Sequence, residues 1–246
     1  MINEAHIVPY ETRVLPIDEG PWLVFAPHPD DETFGMGGTI SKAAALGIQI
    51  TPTIMTNGSQ GGGMAHLVSV REREAKQASS FLGINTPIFL GNQDRELAMS
   101  QAVIEQVKNE IIAAAPRAVF FPGPFELHPD HRVTAQIVWA ALAQLSEIGA
   151  TFHNVNAFSY EILVQSPVNT LVDITACLRE KRLAISAYRS QLTEKNYENI
   201  SLAMNELRSL TLQSEVTHAE GFYHFSEEER KKSLADIFVG KITSYF

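Results

Sequence analysis

The 246-residue sequence contains a single cysteine, Cys177. A disulfide within the chain is therefore excluded, and so is a zinc site built from several cysteines. Basic residues are also scarce, since 19 Lys and Arg stand against 28 Asp and Glu and give a formal net charge of −9. Proteins that bind nucleic acids present basic surfaces to the phosphates, so we expect no nucleic-acid partner.

Long apolar runs are missing as well. No segment approaches the roughly 20 apolar residues of a membrane-spanning helix. The first residues, MINEAHIVPYETRVLPIDEG, lack the basic and apolar regions of a secretory signal. We therefore expect a cytoplasmic protein without a membrane span. The sequence leaves the oligomeric state open, a homo-oligomer included.

Apolar runs alternate with helical patterns over the first two thirds of the chain. Continuous apolar strands joined by helices are typical of a parallel sheet covered on both faces. We therefore predict an α/β fold in one domain, 1–246, with a core at about 20–175 and a mainly helical C-terminal extension at about 176–246. The predicted strands are 22–27, 48–56, 87–91, 117–122, 156–164 and 169–174, and the predicted helices are 37–47, 66–83, 98–115 and 128–145.

Histidines and aspartates follow two of the predicted strands. HPDDE comes at the end of the first strand, and HPDH follows the fourth strand after the loop GPFEL. Ligands of such sheets bind beyond the carboxyl ends of the strands, so both clusters are expected to line one crevice. Two imidazoles and one carboxylate leave a zinc ion an open position for water. The predicted ligands of Zn²⁺, or of another divalent ion such as Fe²⁺, are His28, Asp31 and His131.

The remaining residues of the two clusters suit proton transfer. Asp30 adjoins a predicted ligand and is expected to accept a proton from water as the general base. His128, three residues before His131, could donate a proton or stabilise an oxyanion. Asp130 could orient one imidazole by hydrogen bonding. Either cluster alone could also be a helix N-cap, but the recurrence of His and Asp after two strands favours a metal site.

The same residues resemble a known family. PHPDDETFGMGG, followed about a hundred residues later by HPDHR, is similar to the LmbE-like, PIG-L-type de-N-acetylases. TNGSQGG and VREREAKQASSFLGI resemble the family's glycine-containing loop and the helix after it. KRLAISAYRSQL and THAEGFYHF resemble its weaker C-terminal blocks, so the resemblance covers about 20–225. It implies a Rossmann-like fold and zinc-dependent removal of acetyl groups from N-acetylglucosaminyl substrates.

The resemblance also assigns roles to single residues. The family's zinc ligands, general base and second catalytic histidine fall on the positions singled out above. Its substrate-binding arginine falls on Arg71, for which a surface salt bridge with Glu74 is the alternative. Phe125 and Glu126, before HPDH, match no family position that could be carried over.

We therefore expect a zinc-dependent hydrolase that removes the N-acetyl group from a small N-acetylglucosamine-type sugar or glycoconjugate. Two alternatives stay open: an amidase for a larger acyl or thiol-conjugate amide, and a catalytically silent metal- or sugar-binding module. Dinucleotide binding through GMGG is disfavoured, because no acidic residue lies between Glu32 and Glu72 to hold the ribose. The glycine-rich loop 57–63 is expected at the rim of the site.

Overall fold

The computed structural model describes residues 20–61, 66–148 and 154–243. The strands are β1 (Trp22–Ala26), β2 (Ile50–Thr56), β3 (Ile88–Asn92), β4 (Ala118–Pro122), β5 (Asn156–Tyr160), β6 (Thr170–Asp173) and β7 (Ala219–Phe225). The helices are α1 (Asp31–Ala45), α2 (Leu67–Leu82), α3 (Gln101–Ala114), α4 (Pro129–Ile148), α5 (Leu178–Ile185), α6 (Arg189–Leu192), α7 (Tyr197–Arg208) and α8 (Leu234–Thr243). Among the described helices, none combines the length and apolar character that a membrane crossing needs.

The strands form one seven-stranded sheet in the order β3-β2-β1-β4-β5-β7-β6. The first five of these are parallel, and β7 runs antiparallel to both of its neighbours. Side chains of β1 alternate between the two faces, so Trp22 and Val24 join one apolar core and Leu23 and Phe25 join the other. Helices α1, α2 and α5 cover the first core, and α3, α4 and α8 cover the second. The predicted α/β fold with a mostly parallel sheet is confirmed.

The C-terminal part is mainly helical, as predicted, but it also contributes a strand that the sequence did not indicate. Strand β7 lies between β5 and β6, with Phe222 paired to both Tyr160 and Thr170. Its sequence AEGFYHF includes Glu220, Gly221 and His224. These residues interrupt the apolar pattern from which a strand is usually recognised. Only the pairing with two distant strands identifies this segment as part of the sheet.

Helix α1 begins at Asp31, earlier than the predicted start at residue 37. It consists of two helical segments joined at Met36, whose φ of −140° and ψ of 21° are not helical. The glycines on either side of this break allow close packing. A Cβ on Gly35 would lie 2.6 Å from the carbonyl oxygen of Glu161, and one on Gly38 would lie 2.7 Å from Ile174 Cβ. The first turn of α1 is thereby pressed against the end of the sheet.

A buried ion pair satisfies the backbone groups at this break. Glu220 accepts hydrogen bonds from the backbone N–H groups of Gly38 at 2.9 Å and Thr39 at 2.7 Å. Lys181 Nζ lies 2.7 Å from Glu220 Oε1 and donates to the carbonyl oxygen of Phe34 at 2.9 Å. Both charged side chains are fully buried. Strand β7 and helix α5 therefore hold the N-terminal turn of α1 in position.

Candidate metal centre and active site

The loops that follow β1 and β4 meet at one end of the sheet, because these two strands are parallel neighbours. They border a pocket of about 140 Å³. Its described walls are His28, Asp30, Asp31, Phe34, Gln60, Gly61, Arg71, Asp94, Arg95, His128, His131, Ile162, Leu163, Gln191 and Tyr197. The seven residues singled out from the sequence are thus all in this pocket except Asp130, which lies directly behind it against His28.

The three predicted metal ligands lie beside one another in the pocket, with Asp31 between the two histidines. Asp31 Oδ2 lies 3.0 Å from His28 Nδ1 and 3.2 Å from His131 Nε2. Atoms bound to a single zinc ion lie about 3.3 Å apart, given bonds of ~2.0–2.1 Å in a tetrahedral site. His128 completes a group with His28 and His131 in which one nitrogen of each ring lies within 4.8 Å of the others. These three imidazoles form a group that could hold a metal ion, Asp31 contacts two of them, and the set His28, Asp31 and His131 stays a prediction.

A tight turn after β1 brings His28 and Asp31 together. The Asp31 carboxylate accepts a hydrogen bond from the backbone N–H of His28 at 2.9 Å, and the Asp31 N–H donates to the His28 carbonyl oxygen at 3.3 Å. Between them, Asp30 has a φ of 143°, which non-glycine residues rarely adopt. Such strain persists only where the surrounding structure enforces it, and it concentrates at functional sites.

Each of the two histidines presents its second nitrogen to a carboxylate. His28 Nε2 lies 3.2 Å from Asp94 Oδ1 and 3.3 Å from Asp130 Oδ2. His131 Nδ1 lies 3.5 Å from Glu126 Oε2. Carboxylates at this position fix the tautomer and the orientation of metal-binding imidazoles. Asp130 thus contacts an imidazole with its side chain, in the way the sequence suggested, and that imidazole belongs to His28.

The electrostatics of this cluster favour positive charge. Although burial opposes protonation, hydrogen bonds to Asp130, Asp31 and Asp94 hold the pKa of His28 well above its ordinary value. Burial also opposes protonation of His131, but the charge of Asp31 raises its pKa to about 9. Burial alone would raise the pKa of Asp31, yet the charge of His131 lowers it. The carboxylates around the two imidazoles thus favour positive charge at this position.

Asp30 makes no helix cap, because its side chain turns to an arginine instead of the α1 backbone. Asp30 Oδ2 lies 3.0 Å from Arg71 Nη2, and both side chains are buried. Burial raises the pKa of Asp30 to about 7, although the positive charge of Arg71 opposes this shift. A carboxyl with such a pKa can exchange protons near neutral pH.

Arg71 is buried rather than exposed on the surface of α2. Besides Asp30, its guanidinium donates to the carbonyl oxygens of Gly58 at 3.1 Å and Pro29 at 3.0 Å. Glu74, the alternative partner, accepts hydrogen bonds from Ser190 at 2.9 and 2.6 Å. A surface salt bridge between Arg71 and Glu74 is therefore not formed, and the substrate contact of Arg71 stays a prediction.

The glycine-rich loop packs directly on Arg71. A Cβ on Gly58 would lie 2.7 Å from Arg71 Nη1, and one on Gly61 would lie 2.5 Å from the same atom. Glycine at these two positions lets the guanidinium reach the loop backbone and Asp30 together. Gln60 and Gly61 line the pocket, which agrees with a loop at its rim. Positions 62 and 63 of this loop lie outside the described residues.

His128 differs from the other two histidines in its surroundings. It is half-buried, and its Nδ1 accepts a hydrogen bond from the backbone N–H of Asp130 at 3.2 Å. This bond places the proton of the neutral ring on Nε2. Burial and the nearby charges of His28 and His131 lower the pKa of His128. A neutral imidazole with a protonated Nε2 can donate a hydrogen bond into the pocket.

Two contributing carboxylates were not assigned from the sequence. Asp94 lies on the loop after β3 and also accepts a hydrogen bond from the backbone N–H of Gln60 at 2.8 Å. Glu126 is anchored by the backbone N–H groups of Ile162 at 2.7 Å and Leu163 at 3.1 Å. The sequence did contain a signal for Asp94, because the polar segment NQDRE directly follows the predicted third strand. Glu126 offered no comparable signal, since the backbone groups that anchor it lie more than 30 residues away.

Comparison with known proteins identifies relatives of this chain. The family described as PIG-L: GlcNAc-PI de-N-acetylase matches residues 23–142. The diacetylchitobiose deacetylase of Thermococcus kodakarensis is 30% identical over 193 residues, which are 72% of this chain and 72% of that protein. The chain belongs to the PIG-L family.

Other members of the PIG-L family agree with this assignment. A probable N-acetyl-alpha-D-glucosaminyl L-malate deacetylase 2 of Bacillus anthracis is 27% identical over 191 residues, 70% of this chain and 82% of that protein. The structure of the N,N'-diacetylchitobiose deacetylase from Pyrococcus horikoshii superimposes with a TM-score of 0.77 and 26% identity, covering 90% of each chain. The predicted membership in the LmbE-like, PIG-L-type family is confirmed, and these relatives are deacetylases.

Proposed function

We propose that this PIG-L family protein is a metal-dependent hydrolase that removes the N-acetyl group from an N-acetylglucosamine-type sugar or glycoconjugate. The observation that carries the proposal is that Asp30 and His128, two groups suited to proton transfer, line one pocket together with His28, Asp31 and His131. The deacetylase names of the relatives support the same reaction.

His28, Asp31 and His131 would hold the cation, for which we propose Zn²⁺, with Fe²⁺ as the alternative. When bound, such an ion acts as a Lewis acid that polarises an amide carbonyl and makes water more acidic. Asp94, Asp130 and Glu126 keep the two imidazoles oriented through their second nitrogens.

Asp30 and His128 divide the proton transfers. Asp30 accepts a proton from the attacking water, and the ion pair with Arg71 favours the ionised carboxylate that can accept it. His128 directs its Nε2–H toward the developing charge on the acetyl oxygen. Expulsion of the amine requires a proton, which Asp30 or His128 returns to the nitrogen. The cleaved bond is the amide C–N bond, and the products are acetate and the free amine.

The pocket size favours a short acyl group over the larger ones of the amidase alternative. The walls that the structure describes border about 140 Å³, which admits an acetyl group and part of a sugar ring. A silent binding module, the second alternative, has no use for the strained, buried Asp30 beside the ligand cluster. The cytoplasmic location and the specific metal stay predictions from the sequence.

The test is an assay of acetate and amine release by the metal-loaded protein from a panel of N-acetylglucosaminides and of amides with longer acyl groups. We expect turnover of N-acetyl sugars and little turnover of the longer amides. Asp30→Ala is expected to lower kcat by about 10²–10⁴-fold, the range for general acid–base catalysis. Its metal content, measured by elemental analysis, is expected to equal that of the unaltered protein.

Different failures of this assay point to different errors. If Asp30→Ala loses the metal, Asp30 is a ligand and the division of roles is wrong. If only the longer amides are cleaved, the amidase alternative replaces the proposal. If the metal-loaded protein cleaves no amide but still binds sugars, the silent binding module is the better description.

A further inference from the structure

Arg95 stands at the mouth of the pocket on the loop between β3 and α3. Its backbone has a φ of 65°, a left-handed conformation that is uncommon for residues other than glycine. The backbone N–H of Arg95 donates to Asp130 Oδ2 at 2.8 Å, and the preceding residue, Asp94, contacts His28. The carboxylates around His28 therefore fix the backbone position of Arg95.

The side chain of Arg95, unlike its backbone, is not engaged. It is exposed and lines the pocket, and its guanidinium has no hydrogen-bond or ion-pair partner in the part of the chain that the structure describes. The other arginine in the described walls, Arg71, is buried and occupied by Asp30, Gly58 and Pro29. Arg95 is thus the cation that the described pocket leaves free for a ligand.

The position of Arg95 decides which part of the substrate it would meet. In the proposed function, the acetyl group must reach the buried Asp30, so the remainder of the substrate extends toward the exposed mouth. The chain carries a formal net charge of −9, which repels anions at long range. A local guanidinium at the mouth offsets this repulsion and offers a paired donor for a carboxylate or phosphate.

We propose that Arg95 is a specificity-determining residue that selects N-acetyl sugars carrying an anionic group, carboxylate or phosphate, on the side remote from the acetyl group. This inference rests on the proposed deacetylase function and narrows its substrate class. A neutral substituent at that position forms no ion pair with the guanidinium, so Arg95 would not increase the affinity for such a substrate.

The test compares three substrates that share N-acetylglucosamine: the neutral methyl glycoside, the glycoside of a 2-hydroxy acid and the 1-phosphate. We expect kcat/KM to be about 10-fold higher for at least one anionic substrate, the size of one charge-assisted hydrogen bond. The preference should decrease as salt is added, because the contact is exposed. Arg95→Gln is expected to reduce the ratio of anionic to neutral kcat/KM about 10-fold, mainly through KM, and Arg95→Lys to retain part of it.

Arg117→Gln is the matched control, since it removes the same charge from an exposed arginine just before β4, at the opposite end of the strands. It should leave the ratio unchanged. Comparison of the two anionic substrates distinguishes a preference for carboxylate from a preference for phosphate. An unchanged ratio in Arg95→Gln, or an equal loss in Arg117→Gln, would overturn the proposal.

Failure of the proposed function gives a different result. If none of the three substrates is cleaved, calorimetry with the corresponding glucosamine products measures the ratio of anionic to neutral binding affinities instead. Tighter binding of the anionic product, lost in Arg95→Gln, supports the specificity role even without hydrolysis. Equal binding of anionic and neutral products by the unaltered protein would reject the role independently of catalysis.

Discussion

At the scale of single residues, the site depends on carboxylates that contact its histidines. Asp94 and Asp130 share His28 Nε2, and Glu126 faces His131 Nδ1. Glu126 is buried and fixed by backbone N–H groups of residues 162 and 163, which also line the pocket. It therefore connects the orientation of one predicted metal ligand to the apolar wall of the pocket.

Glu126→Gln is expected to lower the affinity for zinc by about 10–100-fold, the usual effect of removing a partner of a metal-binding histidine. With its amide oxygen on the backbone donors, the glutamine would turn its NH₂ group toward His131 Nδ1, where a hydrogen-bond acceptor is needed. Competition with a chromogenic chelator measures the affinity. Glu96→Gln, which removes an exposed charge from the loop after β3, is the control and should bind zinc normally. Equal affinities for both variants would contradict the orienting role of Glu126.

At the scale of elements, α1 is held by partners from distant parts of the chain. Its break at Met36 leaves backbone groups that β7 and α5 satisfy through Glu220 and Lys181. The N-terminal turn of α1 carries Asp31, so this support also bears on the site. Buried ion pairs contribute little net stability as a pair, but the loss of one partner leaves an uncompensated charge.

Lys181→Met should therefore destabilise the protein by about 3–5 kcal/mol, because Glu220 stays buried without its counter-ion. Arg182→Met is the matched control on the same helix, since Arg182 also forms a 2.7 Å ion pair, with Glu198, but is 51% exposed. Exposed pairs contribute about 0–1 kcal/mol. Denaturant unfolding of both variants gives the comparison. If Lys181→Met and Arg182→Met lost similar free energies of unfolding, burial would not explain the effect of removing Lys181.

At the scale of the whole molecule, the site joins segments from most of the chain. The residues that line the pocket range from His28, in the turn between β1 and α1, to Tyr197 at the start of α7. The unfolded chain would not hold an ion in this way, because His131 is remote in sequence from His28 and Asp31. Ligands that bind only the native state stabilise it in proportion to the logarithm of their concentration.

Zinc at about 100 times its dissociation constant should stabilise the fold by about 2.7 kcal/mol. For a chain of this size the expected rise in Tm is about 5–11 °C. Scanning calorimetry with and without a chelator measures this shift. His131→Ala is expected to abolish it, whereas Asp30→Ala should retain it because Asp30 is not a proposed ligand. A full shift in His131→Ala would place the ion elsewhere.

Much of this protein follows from local sequence. The alternation of apolar and amphipathic segments indicates β1 to β5, and glycine marks the end of α2, where Gly83 has a φ of 72°. The recurrence of His and Asp after two strands also indicates the cluster, because parallel strands deliver their carboxyl ends to one edge. These features rest on interactions within a few residues or on one topological rule.

Tertiary structure decided the rest, because the partners are remote in sequence. The placement of β7 between β5 and β6 depends on pairing with residues 60 or more positions earlier in one case and about 50 in the other. Arg71 turned from its helix neighbour Glu74 to Asp30, since the glycines of the loop open a path for its guanidinium. The support of His131 by Glu126, likewise, required the backbone of residues 162 and 163 to hold that carboxylate in place. A buried charge takes the partner that packing brings to it, and packing is a property of the whole chain.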